Sequence, residues 1–504
     1  MLSARPAVRQ SDPFPSVVPM AQRSSSSRRR LAAAHRLRVE SLEPRQVLTH
    51  SLVAIGSDIG PASRPLIQLV EAETGEVVAE TLAFEEAFRG GVRVAMANVD
   101  GLPGNEILAA SGPGRLGEIR VFTIAGSEES TTLRELPAFR LTPFGGRYFG
   151  GVAVGAGEVN GDGWQDIAAA KSRGADVSVF LSPSFGGPIS STPFRTFTPF
   201  GGSFLGGAAV AFADVGTFVG GSLVDAARSD GRAELAVASG TGMAPEVAIY
   251  DLSGAQVRKV DGFRPFSPTV RGGLSVAAGR YDTDLIDDMV VTAGSGGRGT
   301  EIYDGRLSAA DNPRLASFAA FSGTSRPRAS AFAAAVDRNG DGRIDGFAEV
   351  QGLSGGGGTA GLAFLGQSGG RTNLFPNVNG PLRVAAPRTS FNDFSTTLSG
   401  IQYRVIEQGA GAVPKAGDKV TTHYTGWLLD GTKFDSSRDR GTPFSFTLGA
   451  GEVIKGWDEM LAEMRVGGRR TAIIPANLAY GSTAKPGIPA NSTLVFDIEL
   501  VSIG

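Results

Sequence analysis

Oxygen-bearing side chains recur at alternate positions in two short turns punctuated by glycine. Asp337, Asn339, Asp341 and Asp345 occupy the first, third, fifth and ninth places of one turn, with Gly342 at the sixth. Glu158, Asn160, Asp162 and Asp166 repeat the arrangement around Gly163. A hard cation such as calcium takes six or more oxygens at about 2.3–2.6 Å, and alternate residues of a tight loop can converge on one point to supply them. The spacing therefore predicts structural Ca2+ in both turns. Neither is an EF-hand, because the twelfth positions are Ala169 and Ala348 instead of a bidentate glutamate, and the flanks read as strands. The same residues without metal would make ordinary Asx turns. Related turns at Asn98, Asp100 and Glu106, and at Asp282, Asp284 and Asp288, each lack one ligand of the set.

Other chemistries are excluded by what is missing. The chain has no cysteine, so disulfides, thiol catalysis and cysteine zinc sites are ruled out. Its three histidines, His35, His50 and His423, are scattered, which argues against a histidine metal centre or a Ser-His-Asp triad. A net charge of −2 gives no general surface for nucleic acid, and no apolar run reaches the roughly 18 residues needed for a transmembrane helix. With 504 residues the chain exceeds what one core serves, and its 71 glycines point to many turns between short strands.

The turns sit in a repeat. Phe149-Gly150-Gly151-Val152, Leu205-Gly206-Gly207-Ala208 and Arg271-Gly272-Gly273-Leu274, with Phe88 to Val94 before them, recur at roughly 60 residues, and a fifth copy begins near Ser330. Each marker leads through an acidic turn to strands such as Asp166 to Ala170 and Asp176 to Phe180. Four short strands per unit is the arithmetic of a propeller blade. The array, residues 50–388, resembles FG-GAP repeats, the blades of integrin-α-type β-propellers, in which such turns hold calcium. Leu52 to Ile55 and Pro65 to Val70 look like half a blade, so the N-terminal strands should complete the last one, giving five or six blades. Residues 1–49 form a basic leader with no core, in which Leu42-Glu43-Pro44-Arg45 resembles the LEPR-type segment of large exported bacterial proteins. That resemblance implies a location outside the cytosol, although no standard secretory signal is visible.

Residues 389–399 read as a linker, and the chain from 400 to 504 changes texture. Leu494, Phe496, Ile498 and Leu500 alternate along a strand, while Ile454, Trp457, Leu461 and Met464 share one face of a short helix stopped by Gly467-Gly468. One helix across an antiparallel sheet makes an α+β module. Val420 to Leu429, Lys433 to Arg440, Glu452 to Trp457 and Thr493 to Ile498 resemble, in order, the motifs of the FK506-binding-protein family of peptidyl-prolyl isomerases. The resemblance implies a hydrophobic cup made by Tyr424, Phe434, Asp435, Phe444, Val453, Ile454, Trp457, Tyr480, Ile488 and Phe496. It further implies that Trp457 floors a proline ring and that the Tyr480 hydroxyl and the Ile454 amide hold substrate carbonyls. Lys485 stands where histidine is common in that family, and the loop from Ala484 to Asn491 is one residue short.

The fold class expected is thus a mostly-β propeller followed by an FK506-binding-protein-like α+β domain. The implied function is isomerisation of proline-containing protein segments, without a catalytic cofactor, with the propeller as a docking surface for a protein or surface ligand. The competing reading is an adhesion or scaffold protein whose cup binds proline-containing segments without turnover.

Overall fold

The computed structural model describes residues 52–504 apart from short loops, the longest undescribed stretches being 319–330, 337–345, 352–359 and 386–393; within 319–393 strand positions alone are described. The leader and the turn carrying Asp337, Asn339, Asp341 and Asp345 lie outside the described residues.

Five four-stranded antiparallel sheets follow one another as blades over residues 92–135, 152–197, 208–263, 274–318 and 331–378. A sixth sheet is closed by both ends of the array. The strand Leu382–Ala385 pairs with Leu52–Ser57, placing Ala385 opposite Ala54, and Leu66–Glu71 and Val77–Leu82 complete it. The innermost strands touch their neighbours around a closed ring, so the first and last sheets cover each other's faces, which an open array would leave bare.

The marker glycines explain the period. Gly91, Gly151, Gly207 and Gly273 all adopt φ of about +80°, at 80°, 84°, 80° and 79°. Each accepts, through its carbonyl, the amide of the residue that closes the next strand of its blade: Gly112, Ser172, Gly240 and Gly294. A side chain at Gly207 would stand 2.2 Å from the Ser172 carbonyl oxygen, so both conformation and space demand glycine. The second strands Glu106–Ser111, Glu234–Ser239 and Asp288–Ala293 are buried along their whole length between neighbouring sheets. Their apolar runs, without alternation, are what strands covered on both faces require. The insertion of the third blade forms its own hairpin, Thr217–Val219 with Ser222–Asp225.

The C-terminal module is one seven-stranded sheet. Its strands run in the order Ser395–Thr396, Gln402–Glu407, Arg469–Ile474, Leu494–Ile503, Lys419–Leu428 and Lys433–Ser436, with Phe444–Thr447 pairing the first half of Lys419–Leu428. Ser395 pairs with Tyr403, and the Ser399 hydroxyl bonds Glu459 at 2.6 Å, so the second half of the segment read as a linker belongs to the module. The helix Lys455–Ala462 packs across the sheet face formed by Leu494, Phe496, Ile498 and Leu500. A side chain at Gly456 would meet Ile474 Cγ2 at 2.5 Å, which sets how closely the helix lies on the strand. The helix is shorter than its apolar spacing suggests: Ile454 is its N-cap and Met464 lies beyond its end, although Met464 is still buried in the same core. Among the described residues no helix is long and apolar enough to cross a membrane.

Candidate active site

The core of the module opens into an aromatic cup. Trp457, in the first turn of the helix, is buried, and three rings stand edge-on to it. Tyr424 lies 4.9 Å away at 82°, Phe496 5.2 Å away at 83°, and Phe444 6.3 Å away at 74°. Phe434 meets Phe496 edge-on at 5.6 Å. Edge-to-face pairs set positive ring edges against negative faces and contribute about 0.5–1.5 kcal/mol each beyond area burial. The cup is therefore a self-braced wall whose rings hold one another's tilt.

Strand geometry brings these residues together. Tyr424 and Phe496 project from the helix-side face of neighbouring strands, with Gly426 opposite Phe496 in register. A Cβ on Gly426 would lie 2.6 Å from Phe434 Cζ and 2.8 Å from Phe496 Cε1, so the absence of a side chain there lets two rings lean over the strand. Val453 and Ile454 pack beside them from the segment leading into the helix, and Ile488 closes the far side. Ile488 and Lys485 exchange two backbone hydrogen bonds of 2.9 Å, which folds the short loop back on itself. Tyr480 and Phe444 stand at the lip, each 37% exposed, and the Lys485 ammonium lies 5.5 Å from the Tyr480 ring.

Asp435 anchors the wall. One carboxylate oxygen accepts from the Tyr424 hydroxyl, and the other accepts from Arg440 and, at 2.8 Å, from the Ser436 amide. Arg440 also donates to the Tyr424 hydroxyl at 3.0 Å. Burial opposes the charge of Asp435, but the hydrogen bonds from Tyr424 and Arg440 outweigh it and hold the carboxyl below its ordinary range. Burial, followed by the hydrogen bond to Asp435, raises Tyr424; burial, followed by the charge of Asp435, raises Tyr480. Both phenols therefore stay neutral donors at physiological pH.

All ten cup residues named from the sequence meet at this end of the module. Two participants were missed. Phe446 is buried 6.0 Å from Trp457 and stacks on Phe444, its position two residues along the same strand being the available signal. Ser437 ties the wall strand down, accepting from the Tyr424 amide at 2.8 Å and donating to its carbonyl at 3.2 Å.

The acidic turn of the second blade is described in full. Glu158 accepts from the Asn160 and Gly161 amides at 2.9 and 2.7 Å, and Asp162 accepts from the Trp164 amide at 2.8 Å. Both oxygens of Asp166 are engaged, by the Val159 amide at 3.1 Å and the Ser182 amide at 2.8 Å. Glu106, Glu234 and Asp288 bond the equivalent amides of Val99, Val215 and Tyr281, so the acid that opens the second strand braces the turn in four blades, even across the insertion of the third. Glu158 Oε2 is buried without a hydrogen bond, which suits a hard cation, and burial, then the charge of Asp162, pushes the group up to about 7. Among the described residues no three carboxylate or imidazole groups converge as a ready metal cluster.

Residues 411–501 match the family model described as FKBP-type peptidyl-prolyl cis-trans isomerase. The chain is 58% identical over 106 residues to peptidyl-prolyl cis-trans isomerase Fkbp12 of Drosophila melanogaster, covering 21% of this chain and 98% of that protein. It is 49% identical over 104 residues to FK506-binding protein 1 of Dictyostelium discoideum, covering 20% of this chain and 97% of that protein. With FkpA of Aeromonas hydrophila the identity is 53% over 108 residues, covering 21% of this chain and 40% of that one. The aromatic cup and these matches fall on the same residues, and through this C-terminal module the chain belongs to the FKBP-type peptidyl-prolyl cis-trans isomerase family.

Proposed function

We propose that the whole chain works as a prolyl isomerase carried on a propeller, acting on proline-containing segments of other proteins. The observation that carries this reading is the floor of Trp457 ringed edge-on by Tyr424, Phe444 and Phe496 under a lip that leaves Tyr480 accessible. Rotation about an X-Pro amide passes through a twisted state about 18–20 kcal/mol up, in which resonance is lost. The twisted amide is less polar at its carbonyl than the planar one, so transfer from water into an aromatic cup favours the transition state over the ground state. A thousandfold acceleration needs only about 4 kcal/mol of that difference. The proline ring would rest on Trp457, while the Tyr480 hydroxyl and the Ile454 amide at the helix N-terminus would take the flanking carbonyls. Asp435, held by Tyr424 and Arg440, keeps the wall in place. No bond is made or broken and no proton need move.

The reading extends to the propeller as a docking module for a protein or surface ligand, with calcium as a structural ion. Calcium at Asp337, Asn339, Asp341 and Asp345 is supported by spacing. At Glu158, Asn160 and Asp162 it is supported by spacing and by the unpartnered Glu158 Oε2, and the ion would exchange with hydrogen bonds these side chains now accept from their own turn. A location outside the cytosol rests on the leader motif at Leu42 to Arg45. A protease-coupled assay of cis/trans exchange with the full chain tests the enzyme reading; peptide binding without acceleration would support the scaffold alternative instead.

A further inference from the structure

The sheet face opposite the helix and cup is not left to solvent. Trp427, Val495 and Ile473 lie side by side in register on three neighbouring strands and are 5%, 0% and 6% exposed. Alternation puts them on the side away from Phe496 and Leu494, where a lone module would face water. Their cover comes from the propeller. Trp164, 1% exposed, joins them in one apolar cluster with Leu102 of the first blade, Phe394 and Leu429. Trp164 belongs to the acidic turn of the second blade, directly after Gly163.

Contacts on both sides of Trp164 are close. A Cβ on Gly101 would meet its ring at 2.2 Å, and a Cβ on Gly163 would meet Ile406 Cδ1 at 2.5 Å and Arg404 Nη2 at 3.1 Å. The Arg404 guanidinium lies 4.8 Å from the Trp164 ring centroid and 5.7 Å from that of Phe394. At this distance a guanidinium out of water is attracted by the negative face of the indole ring. Burial opposes the charge on Arg404, bringing it down to about 10, while Glu158, Asp162 and Asp497 favour that charge. Arg469 bonds Asp497 at 2.7 and 3.0 Å and also feels Asp162. The carboxylates of the turn thus face protein-borne cations supplied by the isomerase sheet.

We propose that the turn from Glu158 to Asp166 is a docking ledge that holds the isomerase module on the propeller as one rigid body, with Trp164 as the anchor and Arg404 as the cation facing its carboxylates. The tether favours this arrangement. Only residues 386–393 separate the closing strand of the propeller from Phe394, a reach of at most about 28 Å when fully extended. A connection that short keeps the effective concentration of one surface at the other in the millimolar range, so a compact apolar anchor suffices. Docking uses the face opposite the cup and leaves its lip open. The propeller therefore sets where the cup points.

The chain contains no cysteine, so spin labels can be placed without background. Arg134→Cys on the first blade and Lys455→Cys on the helix N-terminus, both exposed, report the inter-domain distance by double electron–electron resonance in the full chain. The parent should give one narrow distance distribution. Trp164→Ala and, independently from the module side, Arg404→Glu should each broaden it severalfold, while hydrolysis-coupled turnover of a short proline peptide stays within twofold of the parent. Arg404→Glu decides the matter if Trp164→Ala disturbs the propeller fold. A broad distribution in the parent, or a distribution as narrow as the parent's in folded Arg404→Glu protein, overturns the proposal.

Discussion

The Tyr424 ring stands perpendicular to the Trp457 ring, 4.9 Å away, while its hydroxyl is held by Asp435 and Arg440. One side chain thus links the apolar floor of the cup to the polar clamp on its rim. Disturbing either end should tilt the same wall, and the two ends can be separated by experiment.

Phe434 packs on the cup from the partly buried side, so Phe434→Ala should remove a wall without emptying the core. Turnover efficiency should fall at least tenfold, or about 1.4 kcal/mol in the barrier. Thermal unfolding should show a modest loss beside the roughly 3–5 kcal/mol expected for truncating the buried Trp457. Full activity in a folded Phe434→Ala chain would remove Phe434 from the cup.

Gly426→Ala tests the close approach of rings to strand. The new methyl would enter the space of Phe434 Cζ and Phe496 Cε1, both closer than 3 Å. Overpacking of this kind costs about 1–3 kcal/mol, and here the rings must turn out of their edge-on geometry. Circular dichroism in the aromatic region and turnover should change together, and an unchanged pair would show that the wall is looser than described.

The pH dependence follows from the clamp. The folded-state pKa of Asp435 lies below the unfolded value near 3.8, so the stability it confers is complete above that value and is lost as pH falls through the lower, folded one. Tyr424 and Tyr480 are raised above 10.0 and stay protonated through neutrality. With no proton transfer in the reaction, turnover efficiency should be flat from about pH 5 to 9. A bell-shaped profile centred inside that range would point to acid–base chemistry and against a purely non-covalent rotation.

Calcium is tested by linkage. Binding to the folded turns alone adds about 2.7 kcal/mol per site at a hundredfold excess over Kd. The unfolding midpoint of the propeller transition should rise with millimolar calcium, fall with chelator and respond poorly to magnesium. Asp341→Ala and Asp162→Ala should each remove part of the rise. Identical midpoints with calcium and chelator, and no metal retained by the purified chain, would leave the turns as ordinary Asx turns.

Much of this architecture could be read ahead of the coordinates because local rules and tertiary needs agree. The glycine marker recurs because each copy needs positive φ against a neighbouring carbonyl, and closure was legible in the half blade at Leu52 to Val70. Leu494, Phe496, Ile498 and Leu500 announce the buried face of their strand by alternation. The ledge was not legible, although its signal was present: Val495, Ile473 and Trp427 make the opposite face apolar too, and only the strand register puts them in one row. Trp164 sat in a turn read solely for its oxygens. Position alone could not show that Asp166 braces backbone amides, because a carboxylate at the ninth place serves a metal or an amide equally well.

Whether the cup turns substrate over is decided by protease-coupled isomerisation of an X-Pro tetrapeptide with the full chain, compared with Phe434→Ala at equal concentration. The slow cis/trans phase should accelerate in proportion to enzyme, and at least tenfold less in the variant. A slow phase that matches the uncatalysed rate while the peptide is shown to bind would contradict turnover and make the cup a recognition site only.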